Sequence, residues 1–316
     1  MQRFSSSGTR QGIILVIVAM VCFAALDTLS KYLSSMVSIV IALWTRYALQ
    51  TLITGLMILP KRGLGVLRMR HPWLQILRGL TIVISSAIAY YTLRFVPLGE
   101  FTAILMLTPM VITLFAARWM GEVVSWGRWV LLIGSLLGAL LVIRPGTVDF
   151  HWVMLLPVLL VLTSAAFQLL TSHLSRDDDP AAMHLFTGIV ATLSVSGLAP
   201  FYWDWPTSLI TWVLLGLLGV CSTLGHYLLI LGYGRARPGV LAPFIYFQVV
   251  FAALSGWLVF AHQPDFWSVS GMVVIVVCGL LGNWLRNRQE ARHEAREQAR
   301  LQERQRAQPI EIEPTV

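Results

Sequence analysis

The stretch that decides the fold is YYTLRFVPLGEFTAILMLTPMVITLFAARWMGEVVSWGRWVLLIGSLLGALLVIRPG, residues 90–146. It contains an apolar run interrupted by Pro109, a polar turn at Glu122, and a second apolar run. Residues 232–281, GYGRARPGVLAPFIYFQVVFAALSGWLVFAHQPDFWSVSGMVVIVVCGLL, repeat this order, with Pro243 in the place of the internal proline. A duplicated unit of membrane-length apolar segments therefore organises the chain.

The composition identifies lipid as the main solvent of this protein. Hydrophobic residues make up 57% of the chain, charged residues 12%, and the mean hydropathy is +0.73. Soluble domains carry about 25% charged residues, so this chain cannot cover itself with water-facing side chains. The net charge of +8 resides mostly in short loops and the tail, which indicates membrane orientation and not a nucleic-acid partner.

The pattern predicts an all-α integral membrane protein with ten transmembrane helices. Each apolar segment has roughly the 20 residues needed to cross a hydrocarbon core about 30 Å thick. We expect spans near residues 12–33, 37–59, 74–95, 97–118, 128–144, 152–172, 183–202, 208–231, 238–260 and 267–285.

Residues 12–146 and 150–285 are predicted to be two five-helix repeats, between a polar N-terminus (1–11) and a basic tail (286–316). Five is an odd number of crossings, so the second repeat should begin on the opposite side of the membrane. Lysine and arginine placement agrees, because the loop at 60–72 is strongly basic and its counterpart in the second repeat has neither residue. Inside loops are rich in these residues, so both termini are predicted to be cytoplasmic.

Charged residues inside the spans are the strongest functional signal, because each is costly unless paired or hydrated. Asp27 and Lys31 are one helical turn apart on the first span, and Arg46 lies at similar depth on the second, near Trp44. Asp27, Lys31 and Arg46 could neutralise one another as a structural cluster. Alternatively, one positive charge stays free to bind an anionic group of a substrate.

Other polar and aromatic residues inside the spans predict a binding site for a flat or amphipathic metabolite. Each alone is also explained by a hydrogen bond between helices. Together with Trp44 and the three charged residues, the candidate substrate-binding residues are Tyr90, Tyr91, Gln168, His226, Tyr246 and Gln248.

Pro109 and Pro243 are candidate sites of helix breaking and gating. Proline removes a backbone hydrogen bond, and broken helices at matching places in two repeats point to a transport site near the membrane midplane. A tolerated kink without function is the alternative. Glu122, at the cytoplasmic end of the fourth span, is a third candidate gating residue. Alternatively, it caps the next helix or pairs with Arg118.

The sequence has no pattern that indicates an enzyme, a metal site or a cofactor. The histidines do not form a zinc-binding HExxH motif, and Cys22, Cys221 and Cys278 all lie in apolar runs. The acidic residues at 177–179 favour a solvated turn over a cation site. In the tail, arginines recur every four residues and favour weak attraction to anionic lipid headgroups (Arg292, Arg296, Arg300 and Arg304).

Several short motifs resemble the EamA-type domain of the drug/metabolite transporter superfamily. In the first half they are Asp27…Lys31, Arg46, Arg78-Gly79, Pro97-Leu98-Gly99-Glu100, Thr108-Pro109, Gly121-Glu122 and Arg144-Pro145-Gly146. In the second half they are Trp205-Pro206, Gly225-His226, Ala242-Pro243-Phe244 with Tyr246, and Phe260-Ala261-His262-Gln263-Pro264. Ala261-His262 departs from the Gly-Glu that is usual there, so only Glu122 can keep a role shared by that glutamate.

More narrowly, these motifs resemble those of the bacterial branch that contains S-adenosylmethionine and riboflavin uptake transporters. This resemblance implies a secondary transporter of the bacterial inner membrane that moves a small organic metabolite by alternating access. Uptake of a nucleoside- or vitamin-like compound is favoured over export of amino acids or drugs. A lipid-modifying membrane enzyme is a remote alternative. A monomer and a homodimer are both consistent with the sequence.

Overall fold

The computed structural model describes residues 6–119, 126–144, 151–174, 177–202, 205–233, 235, 241 and 244–307. Throughout these residues the regular secondary structure is helical, as the apolar segments predict. Glu122 and Pro243 lie outside the described residues, so their predicted roles stay predictions.

The first half contains six helices, because its fourth span is divided. They are α1 Ser6–Leu33, α2 Ile39–Arg62, α3 Pro72–Leu93, α4 Leu98–Leu105, α5 Thr108–Trp119 and α6 Trp126–Ile143. The second half contains α7 Leu156–Leu174, α8 Pro180–Ser196, α9 Ala199–Tyr202, α10 Leu209–Tyr233, α11 Phe247–Phe260 and α12 Phe266–Ala307. Short 3₁₀ turns occupy Leu64–Leu67 and Trp152–Leu155.

The helix lengths suit a bilayer and are compatible with ten spans. Five helical segments are long and apolar enough to cross it: Gly8–Leu33, Ile39–Arg62, Pro72–Leu93, Trp152–Thr171 and Leu209–Gly232. Five shorter apolar segments accompany them: Leu98–Ile112, Trp129–Ile143, Pro180–Ser196, Phe247–Phe260 and Phe266–Gly282. Helix α12 continues without a break into the basic tail, to Ala307.

The fourth span is broken just before Pro109, as its sequence predicts. Helix α4 ends at Leu105, and α5 begins at Thr108 after a turn at Met106 and Leu107. Proline has no N–H, and its ring clashes with the carbonyl four residues earlier, which here belongs to Leu105. The expected single segment 97–118 is therefore two helices, and α4 is free to take its own direction.

The helices pack in pairs that are exchanged when the two halves are exchanged. Helix α1 packs on α10, and its counterpart α7 packs on α3. Helix α2 packs on α10, and its counterpart α8 packs on α3. Three further pairs, α2 with α8, α4 with α11 and α6 with α12, each join equivalent helices. The halves thus interlock about a pseudo-two-fold axis and do not form two separate bundles.

Glycine allows the close packing of α6 on α12. A Cβ on Gly271 of α12 would lie 2.6 Å from the carbonyl oxygen of Gly138 on α6 and 2.7 Å from Val142 Cγ2. Because helices in lipid gain association energy from close packing of backbones, this contact of α6 with α12 depends on the two glycines.

Residues 177–179, just before α8, make contacts that their sequence did not predict. Asp178 is buried and accepts hydrogen bonds from Gln75 Nε2 (2.8 Å) and from the backbone N–H of Arg70 (3.0 Å). Asp177 pairs with Arg70 at 2.9 Å, and Asp179 caps α8. The expectation of a solvated turn is therefore wrong for Asp178, because the long-range partners on α3 could not be seen from the local sequence.

We predict that Gly271→Ala lowers the thermal stability of the purified protein in detergent, by about 1–3 kcal/mol, as is typical for overpacking. Gly216→Ala is the matched control, because a Cβ at this helical glycine meets nothing within 4 Å. Alanine favours helix by about 1 kcal/mol over glycine, so the control should be neutral or stabilising. Equal melting temperatures for the two variants would contradict the assigned packing of α6 on α12.

Candidate substrate-binding site

Arg46 joins three helices in the interior of the bundle. Its Nε donates to Ser222 Oγ on α10 at 2.9 Å, and its Nη1 donates to Ser86 Oγ on α3 at 3.3 Å. The guanidinium also lies over the ring of the neighbouring Tyr47. Its Nη2 makes no hydrogen bond or ion pair with the residues that the structure describes, so this half-buried cation keeps donors for a ligand.

Asp27 supplies the opposite charge from α1. It is half-buried and accepts a hydrogen bond of 3.2 Å from Gln248 Nε2 on α11. The charge of Arg46 acts on Asp27, but within the described part of the chain no ion pair of 4 Å or less links Asp27 to Arg46. Two opposite charges thus face the interior without neutralising each other by direct contact.

Stacked rings complete this region. The ring of His226 meets Phe23 edge to face, with centroids 4.9 Å apart, and stacks on His184 at 5.7 Å. Its Nδ1 lies 2.8 Å from the Ser222 carbonyl oxygen, which can only accept, so Nδ1 carries the proton. In the neutral ring, Nε2 is then an acceptor.

One-turn spacing places these groups on common helix faces, since residues four apart are neighbours on a helix surface. The pairs are Phe23 and Asp27 on α1, Arg46 and Gln50 on α2, and Ser222 and His226 on α10. Gln50 extends the set by donating to the His184 carbonyl on α8 at 3.2 Å. The resulting interior site combines a cation, an anion, amide groups and aromatic faces.

Lys31 does not belong to this site, contrary to the expected three-charge cluster. Its ammonium donates to the carbonyl oxygens of Leu93 and Val96, both at 2.8 Å. The last carbonyls of a helix have no partner within that helix, so the end of α3 attracts the long side chain of Lys31. No ion pair joins Lys31 to Asp27 among the described residues, and the cluster expectation is wrong in this respect.

The other sequence-predicted residues lie at several different places. Trp44 donates from Nε1 to Ser196 Oγ at 2.9 Å, on the face of α2 that packs against α8. Tyr90 is buried, and its hydroxyl donates to the Val37 carbonyl, between α1 and α2. Neither contact places the side chain with Asp27.

Three further predicted residues also lie apart from the two interior charges. Tyr91 is exposed and packs on Phe95, and Gln168 is exposed on α7. Tyr246 is buried in the core between α4, α6 and α12, with its phenol oxygen where a side chain on Gly279 would lie. The structure thus groups Asp27, Arg46, His226 and Gln248 and leaves the others outside this group.

Sequence reasoning missed the small polar residues that position Arg46. Serine is common in membrane helices, and only the contacts with one guanidinium distinguish Ser86 and Ser222. Arg78 could have been found from the sequence, because it is a charged residue inside a predicted span. The motif comparison named it but gave it no role.

Arg78 is a structural anchor. It is buried and donates to Gln75 Oε1 (3.1 Å), Thr171 Oγ1 (3.2 Å), the Met183 carbonyl (2.6 Å) and Thr187 Oγ1. These partners belong to α3, α7 and α8 and satisfy the guanidinium, so Arg78 has little capacity left for a ligand.

Across the described ranges, no group of three or more histidine, cysteine, aspartate or glutamate side chains is placed to hold a metal ion.

An all-helical apolar chain with two interlocked halves and an interior site of opposite charges defines a membrane transporter built from an internal duplication. Comparison with known proteins gives the family. The model of the EamA-like transporter family matches residues 10–144 and 151–284, and the chain belongs to this family. The resemblance noted in the sequence is confirmed, and the protein is a multi-pass bacterial membrane transporter of small molecules, not an enzyme.

Characterised relatives align along most of the chain. The riboflavin transporter of Vibrio cholerae is 28% identical over 84% of this chain and 91% of its own length. The S-adenosylmethionine uptake transporter of Rickettsia bellii is 26% identical over 84% of this chain and 90% of its own. The pseudopaline exporter of Pseudomonas aeruginosa is 28% identical over 85% and 94%.

A protein of known crystal structure shares the fold. It superposes with a TM-score of 0.61 and 18% sequence identity, over 90% of this chain and 99% of the other.

We predict that Lys31→Met lowers stability but leaves substrate binding by the folded protein unchanged. Two helix-end carbonyls would lose their donor, which costs about 1–3 kcal/mol for a buried polar group. Lys61→Met, at the exposed end of α2, is the matched control and should melt like the wild type. If Lys31→Met melts normally but binds substrate poorly, Lys31 belongs to the binding site after all.

Proposed function

We propose that this transporter takes up a nucleoside- or vitamin-like metabolite by alternating access, and that Asp27 and Arg46 bind it together with the rings around His226. The observation that carries the proposal is the pair of half-buried opposite charges that make no ion pair with each other. Holding such charges inside a bilayer is costly, and a polar substrate with a flat ring gives both of them a partner.

The chemistry of the relatives' named substrates agrees with this site. Riboflavin and S-adenosylmethionine each contain a flat nitrogen heterocycle with hydrogen-bonding edges. Aromatic side chains such as Phe23 stabilise such rings by stacking. Charged and amide groups at Arg46, Asp27 and Gln248 then select among polar substituents. The two uptake relatives favour import, and the pseudopaline exporter makes export the alternative that the assay below decides.

Alternating access is supported by the pseudo-two-fold packing and by the broken span. Helices related by the axis can exchange inward-open and outward-open arrangements when the halves rock. The break between α4 and α5 at Pro109 is a natural bending point. We propose two further gating residues. Pro243 is the counterpart of Pro109 in the second repeat, and Glu122 follows the fourth span of the first repeat.

The proposed orientation is that of a bacterial inner-membrane protein with inverted repeats and both termini in the cytoplasm. The basic loop between α2 and α3 supports it, because lysine and arginine accumulate on the cytoplasmic side. By this orientation, Asp27 and Arg46 both lie nearer the outer face, about 9–11 Å along their helices from it.

We predict that Asp27→Asn and Arg46→Gln each reduce uptake of radiolabelled riboflavin or S-adenosylmethionine into proteoliposomes roughly tenfold or more, the loss expected for a hydrogen bond to a charged group. Arg68→Gln, in the exposed loop after α2, should transport normally. If the two charges only balance each other, the double variant should regain most of the lost activity. Uptake at the wild-type rate by that double variant would contradict the binding role of the two charges. Efflux without uptake by the wild type would show that the protein is an exporter.

We predict that a cysteine at Ser208, before α10, reacts with a membrane-impermeant thiol reagent in intact cells, while one at Gly65 does not. Both positions are exposed, and a Cβ at Gly65 meets nothing within 4 Å. The background is a variant without the three native cysteines. Labelling of Gly65→Cys but not of Ser208→Cys would show that the protein has the opposite orientation.

A further inference from the structure

A buried carboxylate lies where the first turns of α4 and α12 meet. Glu100, in the first turn of α4, is only 6% exposed. Its Oε1 accepts a hydrogen bond of 2.8 Å from Ser268 Oγ, in the first turn of α12. A carboxylate can accept several hydrogen bonds, so this single bond leaves capacity for another donor. Glu100 is not used by the interior site.

His262 faces the same carboxylate oxygen. Its Nε2 lies 3.7 Å from Glu100 Oε1, is itself buried, and makes no hydrogen bond with any residue that the structure describes. The side chain as a whole is nevertheless 40% exposed. The left-handed cap at Ala261 (φ 53°) turns the chain after α11 and positions the ring. His262 therefore lies between a buried carboxylate and water.

The charged groups around this pair come from several packed elements. Lys31 on α1 interacts electrostatically with Glu100. Arg144, after α6, pairs with Asp265 at 2.8 Å and reaches Ser268 Oγ at 3.5 Å. Near α3 and α7, Arg94 and His151 are exposed and rest on Phe95 and Trp152. When His262 is neutral, the charges of Lys31 and Arg144 balance those of Glu100 and Asp265. Uptake of one proton by the pair of Glu100 and His262 therefore adds one positive charge to this group.

Asp265 is not the group that responds to pH. The backbone N–H of Ser268, together with the charge of Arg144, keeps the pKa of Asp265 below its usual value, against the effect of burial. Asp265 therefore stays ionised at physiological pH. A proton that reaches this end of the bundle is therefore expected to bind His262 or Glu100.

Helix α11 connects this pair to the interior site. Gln248, in its first turn, donates to Asp27, and His262 follows its last turn. Helix α4 packs on α11 as well as on α12. A change in the bond between α4 and α12 can thus move α11, and with it the group that holds Asp27.

We propose that Glu100 and His262 form a proton-binding site that couples uptake of the substrate to entry of a proton. The inference rests on the proposed uptake function. His262 passes a proton from the water at this face to the Glu100 carboxylate. When the carboxyl is protonated, its hydrogen bond to Ser268 is no longer charge-assisted and is about half as strong. The first turns of α4 and α12 then separate more readily, and the proton leaves when the bundle opens on the other side.

The first test needs no substrate. Infrared difference spectra of the full chain in proteoliposomes, taken from about pH 5 to about pH 8, the range in which histidine titrates, should show the carbonyl stretch of a protonated buried carboxyl. All proteins in this test carry Asp27→Asn, because Asp27 is a second half-buried carboxylate that could contribute to the band. In this background Glu100→Gln should abolish the band. His262→Gln should shift its pH midpoint by about one unit, as removal of a neighbouring titratable charge does. Asp179→Asn, an exposed carboxylate in the loop before α8, is the control and should leave the band unchanged.

The second test uses radiolabelled riboflavin as the probe. An acid-outside gradient should accelerate uptake by the wild type. Glu100→Gln should lose this stimulation while keeping exchange of internal for external riboflavin without a gradient. A structural role for Glu100 would instead reduce both measurements together.

The outcomes separate the two proposals. Failure of the wild type to transport riboflavin bears on the proposed substrate, and the infrared band still decides the proton site. A band that survives in Glu100→Gln, or keeps its midpoint in His262→Gln, overturns the inference. Gradient stimulation that persists in Glu100→Gln overturns it as well. If Glu100→Gln does not fold, His262→Gln, altered at the exposed edge, decides the matter through the midpoint and the gradient response.

Discussion

A polar group in hydrocarbon must find its partner inside the protein, and the rest of this structure depends on that constraint. It explains why the described backbone is helical, since helices satisfy their own N–H and C=O groups. It also explains Lys31, which binds the open carbonyls at the end of α3, and Arg78, whose donors are satisfied by three helices. Arg46 and Asp27 stand out because they retain bonding capacity.

The pseudo-two-fold packing places that capacity where a transporter needs it. The interior site draws on α1, α2 and α3 of the first half and on α8, α10 and α11 of the second. A relative movement of the halves therefore changes the site itself. The tight glycine contact joins α6 and α12, two helices that contribute no side chain to this site.

Helix α11 gives the two polar regions a common element. Gln248 contacts Asp27 at one end, and His262 approaches Glu100 beyond the other. Here the chain has Ala261-His262 where its first repeat has Gly121-Glu122. The histidine places a ring that can both donate and accept a hydrogen bond beside the Glu100 carboxylate.

The sequence by itself determined the class of this protein. Apolar length and low charge require a membrane, the repeated order of prolines reveals the duplication, and Pro109 marks the helix break, because these properties are local and additive along the chain. Only the tertiary structure decided which charges meet. It separated Lys31 from Asp27, buried Asp178 against α3, and placed Ser86 and Ser222 around Arg46. The reason is that a partner distant in sequence is chosen by helix packing, and no local pattern records that choice.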